Sequence, residues 1–350
     1  PDSEEERCKH QRLRWRLMYG LAKSDVEGRL HEAIGHVRKE MWGPIDMTAN
    51  PFQQVYSQAA ALYNQEPEFR AKVTDAEMAK VEEVLYESGY WLLMQRVQRD
   101  TLALREMPLK IGVPGDDGSI SFKPVPPFNV VFKSKPSSPH KPYRAEEWDK
   151  DPVDSTKWLK WVWDVSDPES PKYQVLDEDD EDVSERVLGG DFTGEAYPWR
   201  GPEGPIFPWV IYHAAMTPWL WDPFTGREVV EGTLQLCVYL TFYGHILRSG
   251  SWAQRWHMGV QPIGAETDEG GGTQTVVADP STSVGFQFTP ENTSGQGQIG
   301  QWNSPADPEK SLRSVMSYER RLVDMAIGAA QVSRASSDMR SGYSLSLIHI

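Results

Sequence analysis

Two long helical patterns with a glycine-rich, β-patterned stretch between them constrain this chain more than any other feature. The first is expected from Glu231 to about Trp256 and contains LQLCVYLTFYGHIL; at 1.5 Å per residue, 26 residues reach roughly 39 Å. The second opens at SPADPEKSLRSV, where Asp307 reads as N-cap and Pro308 as first helical residue. Its apolar stripe is Leu312, Val315, Met316, Leu322, Val323 and Ala326. Between them, TQTVVA and SVGFQF read as the strands of a hairpin turning at DPST.

The N-terminal half predicts helices first and strands later. The first forty residues carry a helical pattern through Leu13, Trp15, Leu17, Met18, Val26, Leu30, Ile34 and Val37. Asn50-Pro51 starts a second helix with Phe52, Val55, Tyr56, Ala59 and Leu62 on one face, ending in NQEP. Thr74 caps a third, with Glu77 three residues on and a stripe through Met78, Val81, Val84, Leu85, Leu92 and Val97. The period then falls to two. Leu109, Ile111 and Val113 alternate with polar residues, PGDDG turns the chain, and Ile120 and Phe122 resume. KWLKWVWDV and KYQVL predict a second strand pair joined by SDPESP, and IFPWVIYHA a further strand. The expected fold class is α+β.

Charge narrows the functional classes. The net charge is −15, and residues 144–203 hold 18 acidic against 7 basic residues, a net of −11. A tight DNA binder carries basic patches instead. Acidic surface repels phosphate and suits a passage through which DNA slides. The apolar run Leu234–Leu247 is shorter than the roughly 20 residues a membrane span needs, no secretory leader opens the sequence, and Cys8 and Cys237 match no metal or redox spacing.

The motifs that resemble chemistry give way to plainer readings. HEAIGH spaces His31 and His36 five apart, about 140° around a helix, so they cannot share one metal face as HExxH histidines do. GQGQIG at 295–300 matches GxGxxG in form, but the following QWNSPADP is no helix, and a mobile loop is expected there. DEDDED at 177–182 lacks the alternation and central glycine of a calcium loop and reads as a solvated acidic loop. Fourteen tryptophans could make sugar-stacking platforms beside a carboxylate pair. However, Trp158, Trp161 and Trp163 lie in a strand pattern, and Trp252 and Trp256 sit four apart on the expected helix, both of which read as packing. No catalytic arrangement, P-loop or cofactor motif is present, so neither an enzyme nor a cofactor is expected.

The order of parts resembles the portal proteins of tailed bacteriophages. NPFQQVYSQAAALYNQEPEF is similar to an early portal helix, RDTLALREMPLKIGVPGDDGSISFKPVPPFNVV to the wing hairpin, and GPIFPWVIYH to the proline-containing strand before the stem. EGTLQLCVYLTFYGHILRSGSWAQRWHMGVQP resembles a first stem helix running into a clip. IGQWNSPADPEKSLRSVMSYERRLVDMAIGAAQVSRASSDMRSGYS resembles a second stem helix and the start of a tunnel loop. The acidic, tryptophan-rich insert at 157–203 departs from the family pattern. The resemblance implies a wing over 1–230, stem helices over 231–257 and 304–330, a clip over 258–303 and a tunnel loop from 331, with the crown missing. LSLIHI is also the translation of CTGTCTCTTATACACATC, the end of a transposase adapter used in sequencing libraries. Residues 345–350 are therefore expected to be adapter read-through, with the true chain continuing beyond about Ser344.

The resemblance also implies roles. Twelve copies would form a ring at one capsid vertex, in the host cytoplasm during assembly and then in the virion. The ring would bind the terminase large subunit, major capsid and scaffolding proteins and a head-completion adaptor, and pass double-stranded DNA without reading its sequence. No membrane is involved, and ATP hydrolysis would belong to the terminase. Gln331, Ser333, Arg334, Ser336, Ser337 and Arg340 would face the DNA. Thr275, Val277, Asp279, Phe286 and Phe288 would form the clip surface that docks the motor. Leu236, Tyr239, Tyr243, Leu312, Met316, Leu322 and Val323 would pack neighbouring stems. The competing readings are a carbohydrate-active enzyme or binding module using the tryptophan-rich half, and another virion connector or minor head protein.

Overall fold

The computed structural model describes residues 4–34, 44–60, 74–113, 119–188, 197–215, 220–221, 225–251, 254–258, 260–262, 286–288, 298–302 and 307–338. It is an α+β fold. The helical pattern of the first forty residues is divided into α1 (Glu4–Met18) and α2 (Lys23–Ile34). The division falls at Gly20, whose φ of 70° is a left-handed conformation that glycine adopts without steric cost. The inward face of α1 is mostly polar: Arg7, His10, Gln11 and Arg14 are buried with Leu17 and Met18 at helical spacing.

α3 (Pro51–Ala59) begins as its signature predicts. The Asn50 side chain accepts from Gln53 N at 3.0 Å, Pro51 takes the first turn, and Asn50 Nδ2 also donates to Leu17 O at 2.7 Å. The third helix is two: α4 (Asp75–Glu87), with both capping-box bonds between Thr74 and Glu77, and α5 (Tyr90–Leu104). Gly89, at φ 63°, separates them and corrects the single stripe expected through Leu92. α4 buries no residue, Leu92 is exposed on α5, and Met94, Val97, Leu102 and Leu104 form the inward face of α5.

The strands follow. β1 (Glu106–Ile111) pairs antiparallel with β2 (Phe122–Pro124), Ile111 opposite Phe122, as the alternation predicts. β3 (Val130–Lys135), β4 (Ser138–Lys150), β5 (Trp158–Asp164) and β6 (Lys172–Leu176) form an antiparallel sheet in chain order, including the expected pairing of the two tryptophan-rich and tyrosine-bearing runs. The acidic run after β6 is a turn in which Asp177 Oδ1 accepts from Asp179 N and Glu181 N, with an isolated bridge from Leu176 to Asp182. α6 (Ser184–Leu188), β7 (Arg200–Gly201) and β8 (Gly204–Pro205) lead to β9 (Trp209–His213), which returns to the other edge of β1.

Two aromatic and aliphatic cores lie here. Met94, Val97, Leu104, Met107, Leu109 and Tyr212 pack α5 on β1 and β9. Phe132, Trp163, Tyr173, Tyr197, Trp199 and Trp209 fill the inner face of the four-stranded sheet, with edge contacts among their rings.

The first long helix is α7 (Arg227–Ser251), displaced four residues upstream of the expected start. Its end is corrected too: Trp256 belongs to β10 (Gln254–Met258), and Trp252 lies outside the described residues. β11 (Val260–Pro262), β12 (Phe286–Phe288) and β13 (Gln298–Trp302) complete the insert before α8 (Pro308–Asp338). Gln298–Gly300, expected in a loop, are strand. The chain divides into two compact units, one of residues 1–25, 50–233 and 321–350 and the other of residues 26–49 and 234–320.

Candidate functional site

The insert between the long helices is closed at its base by antiparallel pairing of its two ends. Gln254 stands opposite Trp302 and Met258 opposite Gln298, so the strand leaving α7 is bonded to the strand that enters α8. One step further in, β11 pairs with β12, Val260 opposite Phe288 and Pro262 opposite Phe286. β11 is thus a partner of FQF, while TQTVVA, the other strand of the expected hairpin, lies outside the described residues. Thr275, Val277 and Asp279 lie outside the described residues, whereas Phe286 and Phe288 are on β12.

The middle of α7 is anchored by polar contacts. Thr241 Oγ1 donates to Cys237 O at 2.8 Å and accepts from Asp46 N at 3.0 Å. Cys237 is buried, and burial followed by the Asp46 charge pushes its thiol up to about 11, so it stays an inert, apolar-packing thiol at neutral pH. Its neighbours Leu234, Leu236 and Val238 are also buried. The Tyr239 ring meets Tyr318 of α8 edge-on at 5.4 Å.

α8 is capped by Asp307, whose Oδ1 accepts from Glu309 N and Lys310 N at 3.0 and 3.2 Å. Val315, Leu322 and Ala326 are buried, while Met316 is 58% exposed and Ile327 37% exposed. At 100° per residue, Leu312, Met316, Val323 and Ile327 lie within about 40° of one line, beside the buried stripe. Among the stem candidates, Leu236 and Leu322 are thus enclosed by their own chain and have no surface to offer a neighbour. Tyr239, Tyr243, Leu312, Met316 and Val323 retain exposed surface. The helix continues to Asp338, which corrects the loop expected from residue 331: Gln331, Ser333, Arg334, Ser336 and Ser337 are on α8, and Arg340 lies outside the described residues.

Several tryptophans of this half are core residues. Trp163, Trp199 and Trp209 are each at most 6% exposed, so their faces meet other rings, whereas Trp158, expected to pack, is 43% exposed at the start of β5. Beneath them runs a buried charge cluster the sequence reading missed. Lys110 of β1 pairs with Glu147 of β4, and its ammonium lies 5.9, 5.1 and 5.7 Å from the ring centres of Trp161, Trp163 and Trp209. Lys123 of β2 bridges to Glu147 at 3.7 Å and to Asp149 at 2.7 Å. Burial lowers the Lys110 pKa despite the opposing attraction of Glu147. The cluster ties the three-stranded sheet to the four-stranded one.

His31 is on α2 and His36 outside the described residues; no group of three metal-ligating side chains occurs among the described residues. No helix is long and apolar enough to cross a membrane among the described residues. No protein-family model and no curated protein matches this chain.

Proposed function

We propose that this chain is the subunit of a viral portal, a ring at one capsid vertex through which double-stranded DNA enters and leaves. The observation that carries the reading is the long helix, base-closed β insert and second long helix: α7, the β10–β13 and β11–β12 ladders, and α8. A closed insert lets two long helices project a compact β element, the arrangement of stem and clip. The partly exposed line Leu312, Met316, Val323 and Ile327 supplies apolar surface on α8 beyond what its own chain covers. The acidic balance of residues 144–203 fits a wall that DNA passes without adhering. In this reading the β insert meets the terminase large subunit, the ring binds capsid, scaffolding and head-completion proteins, and the residues from Gln331 onward lie toward the DNA.

Native mass spectrometry of the wild type and Met316→Glu tests it. The wild type assembles into a closed ring, and the variant stays a folded monomer with unchanged circular dichroism. Equal assembly of both forms would remove α8 from the subunit contact; a monomeric wild type at tens of micromolar would overturn the reading.

A further inference from the structure

Around the start of the fold, three helices bring together polar groups that the portal reading does not use. α1 contributes Arg14, fully buried, with its guanidinium donating to Ala103 O at 2.9 Å and Thr225 O at 2.7 Å. α3 contributes Tyr56, also fully buried, whose hydroxyl has no hydrogen-bond partner among the described residues. The residue that ends α5 is Arg105, 4% exposed, and its Nε likewise has no hydrogen-bond partner among the described residues. Arg14 links the other two groups: Ala103 lies two residues before Arg105, and Thr225 adjoins Gly226 beside the Tyr56 hydroxyl. Gly226 borders the same hydroxyl, where a Cβ would stand 3.5 Å from it.

Two features make this arrangement costly as it stands. A buried donor without an acceptor forfeits its solvation, and a buried guanidinium forfeits far more. Arg105 also holds a left-handed backbone at φ 75°, which a side chain with a Cβ rarely adopts. Such strain persists where surrounding structure fixes it and concentrates at binding sites. The backbone is fixed here by Arg105 O, which accepts from Ala214 N at 2.8 Å at the edge of β9. The nearby carboxylate, Glu106, is buried and accepts from Gln11 Nε2 at 2.9 Å.

We propose that Arg105, Arg14 and Tyr56 form a buried site for a small oxyanion of the phosphate or sulfate type. The anion accepts from Arg105 Nε and the Tyr56 hydroxyl and offsets the buried Arg105 charge, and it fastens the end of α5 to α3. A planar guanidinium with a fixed donor edge suits a tetrahedral oxyanion better than chloride. The site belongs wholly to the unit of residues 1–25, 50–233 and 321–350 and does not depend on ring formation.

The test is thermal unfolding of the intact chain titrated with inorganic phosphate and, at matched ionic strength, with sodium chloride. Phosphate raises the wild-type unfolding temperature saturably and chloride does not. Tyr56→Phe, which keeps the ring, weakens the apparent phosphate affinity roughly tenfold, and Arg105→Met removes the response. Identical wild-type curves in the two salts would overturn the proposal, a buried water being then sufficient. So would an undiminished phosphate response in Tyr56→Phe and Arg105→Met together. If Arg105→Met does not fold, the wild-type titration and Tyr56→Phe decide alone.

Discussion

Lys110→Met is the perturbation with the most to say about how this fold is held. The substitution keeps the length and apolar stem of the side chain but removes the ammonium that neutralises Glu147, itself 2% exposed. Removing one partner of a buried pair costs about 3–5 kcal/mol, because the remaining charge is left in a poor solvent. Lys123 offsets part of this: it stands 3.7 Å from Glu147, but is half exposed and already holds Asp149 at 2.7 Å. The loss of the three indole contacts adds to the cost. The expected destabilisation is about 3 kcal/mol, or a fall of roughly 6–12 °C in the unfolding temperature of a unit this size. Taking both charges out of water offsets much of their mutual attraction, so the pair as a whole adds little net stability. The double variant Lys110→Met, Glu147→Leu therefore recovers most of what the single variant loses. Denaturant unfolding followed by tryptophan fluorescence reads both, because Trp163 and Trp209 are buried beside the ammonium. A single variant within 1 kcal/mol of wild type, or a double variant as unstable as the single, would refute the reasoning.

Other outcomes follow from the same geometry. Asn50→Ala removes both the α3 cap and the bond to Leu17 O, and lowers stability by about 2 kcal/mol in chemical denaturation. Leu236→Ala opens a cavity inside one chain and costs about 2–5 kcal/mol, whereas Met316→Ala changes monomer stability by less than about 0.5 kcal/mol; parallel unfolding curves separate the two. His10 is held down to about 4 by burial and then by Arg14 and Arg227. Its folded pKa lies below its unfolded value, so the unfolded chain binds the extra proton first. The contribution of His10 is intact above about pH 6.5 and is lost as pH falls toward 4; a pH series on His10→Gln shows a flatter acid limb than wild type.

What was legible in the sequence was local. Asn50-Pro51, Thr74 with Glu77, and Asp307-Pro308 each carry a helix start in residues a turn apart, and each cap forms as its chemistry dictates. The alternation around Leu109, Trp161 and Tyr173 likewise fixes strand pairing, since period two leaves one face to the core. Gly20 and Gly89 were passed over because a glycine inside a helical pattern costs only about 1 kcal/mol and leaves the apolar spacing intact. The end of α7 was missed because the apolar residues continue through Trp256 while the backbone has already turned to strand. Lys110, Glu147, Arg14 and Arg105 were invisible for another reason. A charged residue is read as surface, and the partners of Lys110 and Arg14 lie tens to hundreds of positions away. With Leu109 and Ile111 on one face of the strand, period two assigns Lys110 to solvent; the rings of Trp161, Trp163 and Trp209 cover that second face.

Negative-stain electron microscopy of the purified protein tests the central claim most directly. The portal account predicts closed rings of twelve subunits around an open channel, with the helix–insert–helix unit projecting along the axis. A population of well-folded single chains at the same concentration, without rings, would contradict it.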